Sequence, residues 1–173
     1  MERYIWLFPI IFIFHDMEEI IGFKLWMQKN RKMLEEKYPF VLKAYPDFST
    51  EGFAVAVYEE LILSVIFSGL AFYTKADFFG LLWLGAFIAC TLHFVIHIVQ
   101  AVVVRQYIPA VITSVICLPV SIRIILKCVQ TLECRRSEAV LFGLCGILAA
   151  VVNLKFAQSL IGKFTRKMKK YME

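Results

Sequence analysis

Long apolar runs alternate with short polar segments along this chain. Five runs stand out, Tyr4–Trp26, Phe53–Tyr73, Phe78–Val104, Ile108–Leu126 and Ala139–Ile161. Each approaches or exceeds the roughly 20 residues a helix needs to cross a hydrocarbon core. The pattern predicts an all-α, polytopic transmembrane helical bundle of about five spans. It forms one domain over residues 1–173, with residues 27–52 a partly interfacial loop. The first run is interrupted by His15-Asp16-Met17-Glu18-Glu19, and Tyr4–Phe14 alone is too short to span. Adding Ile20–Trp26 gives about 35 Å at 1.5 Å per residue, enough to cross with some tilt. Charges follow Phe14 directly and no small-residue cleavage site is present, which excludes a signal peptide.

Composition agrees with the runs. Hydrophobic residues make up 60% and charged residues 19%, with a mean hydropathy of +0.71. Soluble domains hold about 45–50% apolar residues and about a quarter charged ones, so an ordinary soluble domain is excluded. The five cysteines, Cys90, Cys117, Cys128, Cys134 and Cys145, form no C-x-x-C pair, and most fall inside apolar runs. They read as small core residues rather than a disulfide or thiolate framework.

The net charge of +5 changes the picture through its placement. Lys29, Arg31, Lys32, Lys37 and Lys43 lie between the first two runs, and Lys163, Arg166, Lys167, Lys169 and Lys170 lie in the tail. Only Lys75 and Arg105 occupy the next two connections, whereas Lys127, Arg135 and Arg136 in the fourth count the other way. The positive-inside rule then places the N-terminus outside and the C-terminus inside a multi-pass protein of the cell inner (plasma) membrane. The basic loop and tail suit the lipids of an anionic inner leaflet, and nucleic acid is not needed to explain them. An interfacial helix is expected around Gln28–Glu36, with Pro39 and Pro46 breaking the loop. An oligomer is compatible with all of this.

The ionisable residues inside the runs carry the chemical information. All three histidines, His15, His93 and His97, fall there, as do Asp16, Glu18, Glu19, Glu59 and Glu60. A charged group at mid-bilayer costs roughly 2.5–3.5 kcal/mol on insertion scales. Several unpaired carboxylates therefore demand protonation, partners or a cation. His15, Glu18 and Glu19 stand at i, i+3 and i+4 on one arc of a helix, and His93 and His97 form an i, i+4 pair. Glu59 and Glu60 point about 100° apart, so one of the two faces the same centre.

Depth sharpens the grouping. Glu19 and His97 each lie seven residues before the end of their runs, and Glu59 and Glu60 lie six and seven after the start of theirs. With alternating directions all sit about 10 Å in from the cytoplasmic edge, and His15 and His93 lie one turn deeper. Asn153, Lys155 and Gln158 occupy the same half of the last run, where Lys155 can pair with a carboxylate or snorkel. Pro109 fits the first turn of the fourth run, and Pro119 kinks it.

Imidazole and carboxylate together are ligands for Zn, Fe and Mn, and helical bundles build such sites from His and Glu at these spacings. His15, Glu19, Glu59, His93 and His97 are the candidate ligands for one or two divalent ions. Glu18 and Glu60 are candidate catalytic carboxylates, with Glu18 the general base for a metal-bound water. The leading expectation is an intramembrane metal-dependent enzyme, a hydrolase or an oxidoreductase, acting on a lipid or apolar substrate from the inner leaflet. The same residues also suit a small transporter or channel subunit for protons or divalent cations. A membrane adaptor whose His–Glu hydrogen bonds only specify helix pairing is the third use.

The run His15-Asp16-Met17-Glu18-Glu19 near the start of a small, basic, multispan chain resembles the bacterial HXXEE-domain membrane proteins. The resemblance implies a bacterial integral membrane protein with His15, Glu18 and Glu19 as its defining residues, and implies no activity. Glu19 stands where the His-x-x-Glu-His motif of inverted zinc peptidases has its second histidine, which argues against a protease.

Overall fold

The computed structural model describes residues 1–132 and 135–172, with Arg136 described by its backbone alone. Its helices are α1 (Glu2–Ile5), α2 (Leu7–Lys29), α3 (Arg31–Lys37), α4 (Pro39–Ala44), α5 (Thr50–Thr74), α6 (Asp77–Val104), α7 (Val111–Thr131) and α8 (Arg136–Met172). The described residues contain no strand. Helices α5, α6, α7 and α8 are long and apolar enough to cross a membrane. Helix α2, with 23 residues, has the length, but His15, Asp16, Glu18, Glu19 and Lys24 set it apart from those four.

The outer surface is apolar in the way a lipid-facing bundle requires. Ile21, Leu25, Val102, Leu148 and Val152 are each about two-thirds exposed or more. Inside, Trp83, Leu84, Phe87 and Phe94 of α6 are fully buried, and Trp83 stacks on Phe87 with ring centres 5.1 Å apart. Helix α6 packs against α5, α7 and α8, and α2 lies on α5 and α7. The crossing of α6 and α8 depends on paired glycines. A Cβ at Gly85 would fall onto the Phe142 carbonyl, and one at Gly146 onto the Gly85 carbonyl.

Proline chemistry explains the break between α1 and α2. Pro9 has no N–H to give the Ile5 carbonyl, its i−4 partner. That buried carbonyl instead accepts from the Ser68 hydroxyl and from the Trp83 indole N–H, both at 3.2 Å. A group that would be unsatisfied in an apolar interior thus becomes a three-helix tie.

Boundaries differ from the sequence reading where loops have structure. The helix expected around Gln28–Glu36 is α3, shifted to start after α2 ends at Lys29, and Pro39 starts a further short helix, α4, at its first turn rather than simply breaking the loop. Helix α7 begins at Val111, with Pro109 buried just before it, and runs through Pro119. Helix α8 continues through the basic tail to Met172, because Lys, Arg and Met propagate a helix beyond its apolar part. Cys117 and Cys128 are buried, Cys90 is half-buried and Cys145 is exposed, all four as free thiols. Cys134, the Arg136 side chain and Glu173 lie outside the described residues.

Candidate metal centre

Two helices supply the centre. One turn of α2 carries His15 and Glu19, and one turn of α6 carries His93 and His97, the i, i+4 spacing stacking each pair on one face. Nε2 of His97 lies 3.0 Å from Oε1 of Glu19 and 2.8 Å from Nε2 of His93. The His15 ring sits 5.3 Å from His93 and 5.2 Å from His97, centre to centre. One ligand atom from each of the four residues falls within 4.8 Å of all the others. His15 is fully buried, His97 and Glu19 nearly so, and His93 is half-buried.

Two ring nitrogens in this group, Nε2 of His15 and Nδ1 of His97, are buried with no hydrogen-bond partner. Buried polar atoms are almost always satisfied, so an orphaned imidazole nitrogen among ligand-type atoms is notable. The surroundings of His15 fix which nitrogen carries its lone pair. Its Nδ1 is 3.2 Å from the Thr113 hydroxyl, which itself lies 2.7 Å from Oε2 of Glu18 and 3.2 Å from the Ala110 carbonyl. A hydroxyl has one proton, and the shorter, charge-assisted bond to Glu18 takes it. The hydroxyl oxygen then accepts from Nδ1–H of His15. Nε2 is left bare, and a metal-ligating histidine is commonly held in this way by an outer partner on its other nitrogen.

Glu18 therefore points away from the four-residue group. Its carboxylate accepts from the Tyr107 hydroxyl at 2.8 Å, from the Thr113 N–H at 2.8 Å and from the Ile112 N–H at 3.4 Å. These amides open α7, whose own N-cap residue, Ala110, offers no side-chain oxygen. A carboxylate from a neighbouring helix satisfies them and meets the positive end of the helix dipole. The Tyr107 phenol is pushed up to about 12, by burial first and then by its bond to Glu18.

Glu59 and Glu60 lie on α5 and are both held by one residue of α8. The amide of Asn153 donates to Oε2 of Glu59 at 3.2 Å and to Oε1 of Glu60 at 3.4 Å, so one side chain engages both carboxylates. Neither belongs to the four-residue group. Asp16, 4% exposed and with Oδ2 unpartnered, is within electrostatic reach of one member of each set, Glu19 and Glu60. Asp16 and Glu19 share an arc at i, i+3, a signal present in the sequence to which no role was given. Thr113 gave no such signal, because its role arises across 98 residues of chain. Lys155 is exposed and forms no ion pair among the described residues.

The motif His15-x-x-Glu18-Glu19 thus has a divided geometry, two residues in the cluster and one bracing it. A family model, described as a protein of unknown function with HXXEE motif, matches residues 6–124. The chain belongs to the HXXEE family. No curated protein and no solved structure matches it. The family match contains the four clustered residues, Glu18, Thr113, Tyr107 and both Glu59 and Glu60, whereas Asn153 lies beyond it. Three imidazoles and one carboxylate are a donor set suited to Zn, Fe or Mn. Ligands 2.0–2.1 Å from a tetrahedral ion stand about 3.3 Å apart, closer than the 4.8 Å within which these four atoms now lie.

Proposed function

We propose that this HXXEE protein is an intramembrane metal-dependent enzyme acting on a lipid or other apolar substrate from the inner leaflet. His15, Glu19, His93 and His97 hold one divalent ion. The observation that supports this most is the convergence of four ligand atoms from α2 and α6, two of those residues with an unpartnered ring nitrogen. In this reading Glu18 and Thr113 orient His15, and Glu60, an electrostatic neighbour of Glu19, is the carboxylate placed to serve as general base toward the substrate. Helix α2 is the fifth crossing, the N-terminus is outside, the basic tail is inside, and the membrane is the plasma (inner) membrane. Bound in the site, the ion supplies Lewis-acid or redox chemistry to the substrate.

The first test is elemental analysis of detergent-purified protein, prepared without chelator or His-tag, beside the His93→Ala/His97→Ala double variant. Near-stoichiometric Zn, Fe or Mn in wild type and its loss in the variant is the expected result. Absence of metal from both ends the metalloenzyme reading. Incubating metal-loaded protein with extracted membrane lipids then tests catalysis. Metal without any change in lipid mass would leave a transporter or a metal-holding protein instead.

A further inference from the structure

Helix α8 carries a stripe that the metal centre does not use. Leu148, Val152, Phe156, Ser159, Lys163 and Arg166 recur at spacings of three and four, which keeps them on one face. Along its first half lies an open apolar face formed by Leu148, Ala149, Val152 and Phe156 beside Asn153. At its second half is a separate cavity of about 320 Å³, bordered by Lys43, Tyr45, Asp47, Gln158, Lys163 and Arg166. The apolar part of the stripe thus continues into a cationic part, with Val152 and Lys163 about 17 Å apart by helical rise.

The cationic cavity is built rather than incidental. Arg166 is clamped by Asp47 at 2.7 Å, which leaves Lys43 and Lys163 without an ion pair among the described residues. The segment carrying Tyr45 and Asp47 is pinned to α8, since the Ser49 and Thr165 hydroxyls lie 2.7 Å apart. At Gly52 a Cβ would meet the Ile161 carbonyl at 2.7 Å, so α5 approaches α8 as closely as glycine allows. Tyr45 links this cavity to the centre. Its hydroxyl hydrogen-bonds Gln158, and it lies within electrostatic reach of Glu19 and Glu60.

We infer that this stripe seats a phospholipid, its phosphate among Lys43, Lys163 and Arg166 and an acyl chain along Val152 and Phe156. Cationic groups at one end of an apolar face match the charge and the apolar length of an anionic amphiphile, and a free anion would use only the cationic end. As a statement about substrate the inference rests on the metal-enzyme reading, because the headgroup is then one tyrosine away from the carboxylates. As a statement about binding it stands alone.

The test measures binding of dioleoylphosphatidylglycerol, dioleoylglycerol and inorganic phosphate to the full-length protein in detergent. Wild type is expected to bind the phospholipid most tightly. Lys43→Glu/Lys163→Glu weakens it about tenfold or more, while binding of dioleoylglycerol stays unchanged. Phe156→Arg weakens phospholipid binding from the other end of the stripe. The milder Lys43→Gln/Lys163→Gln pair, read beside a thermal melt, gives the same ordering should charge reversal unfold the chain. Equal phospholipid binding by the lysine variants overturns the inference, and so does inorganic phosphate binding as tightly as the lipid. His93→Ala/His97→Ala is expected to lose metal and keep phospholipid binding, so a failure of either reading is seen separately.

Discussion

Nδ1 of His15 lies 3.2 Å from the hydroxyl of Thr113, a bond between α2 and α7 across 98 residues of chain. The same hydroxyl lies 2.7 Å from Glu18, so one threonine joins the first acidic residue of the motif to its histidine. Thr113→Val keeps the shape and removes that link. It is expected to lower metal affinity about 10–100-fold while all four ligands remain, the range seen when outer-shell partners are lost. Competition titration against a chelator reads this, and an unchanged affinity removes Thr113 from the site.

Glu19 has a distinct role, since it faces His97 directly at 3.0 Å. Glu19→Ala removes the carboxylate partner of a buried imidazole that keeps only His93, at a cost of about 1–3 kcal/mol. The melting temperature of metal-free protein in detergent should fall relative to Ile21→Ala, whose side chain is exposed. Equal melting temperatures for the two variants would show that Glu19 acts only through a metal.

Two glycines of neighbouring helices should respond in opposite ways to the same substitution. A Cβ at Gly85 collides with the Phe142 backbone, whereas one at Gly143 meets Ile88 at an ordinary 3.5 Å. Gly85→Ala is expected to destabilise by about 1–3 kcal/mol through helix separation. Gly143→Ala should be neutral or stabilising by up to about 1 kcal/mol, because alanine is the better helix former. Melting both variants in one detergent tests the glycine crossing, and similar shifts would refute it.

Tyr107 should ionise late. Its phenol is pushed up to about 12 by burial and by donation to Glu18, above the usual value near 10. The raised value means the bond to Glu18 contributes in full below about pH 10 and is lost as pH climbs through about 12. Phenolate absorbance of wild type minus that of Tyr107→Phe isolates the group. A midpoint at the usual value would show that this bond is not formed in solution.

The apolar runs themselves fixed the helical class, because a backbone in hydrocarbon satisfies its own polar groups only as a helix or a closed barrel. Equal depth of Glu19 and His97 along the first and third runs, which cross in the same direction, anticipated their contact, since rise per residue is constant in a helix. The centre was less legible on its acidic side. Glu18 and Glu19 are adjacent in sequence and about 100° apart around α2, and that rotation sends Glu18 to the start of α7 and Glu19 to His97. Glu59 and Glu60 show the opposite outcome, because one long-reaching amide, Asn153, gathers both.

The amino-acid sequence by itself determined that this protein is an apolar helical bundle with ionisable groups on shared helix faces, since hydropathy and helical periodicity are local properties. Only the tertiary structure decided that four of those groups converge and that Thr113 braces one of them. It alone brought α8 to carry a cationic cavity beside Tyr45. Rotation and packing of helices about one another set those distances, and the choice depends on contacts between residues about a hundred positions apart, such as Ser49 with Thr165 and His15 with Thr113.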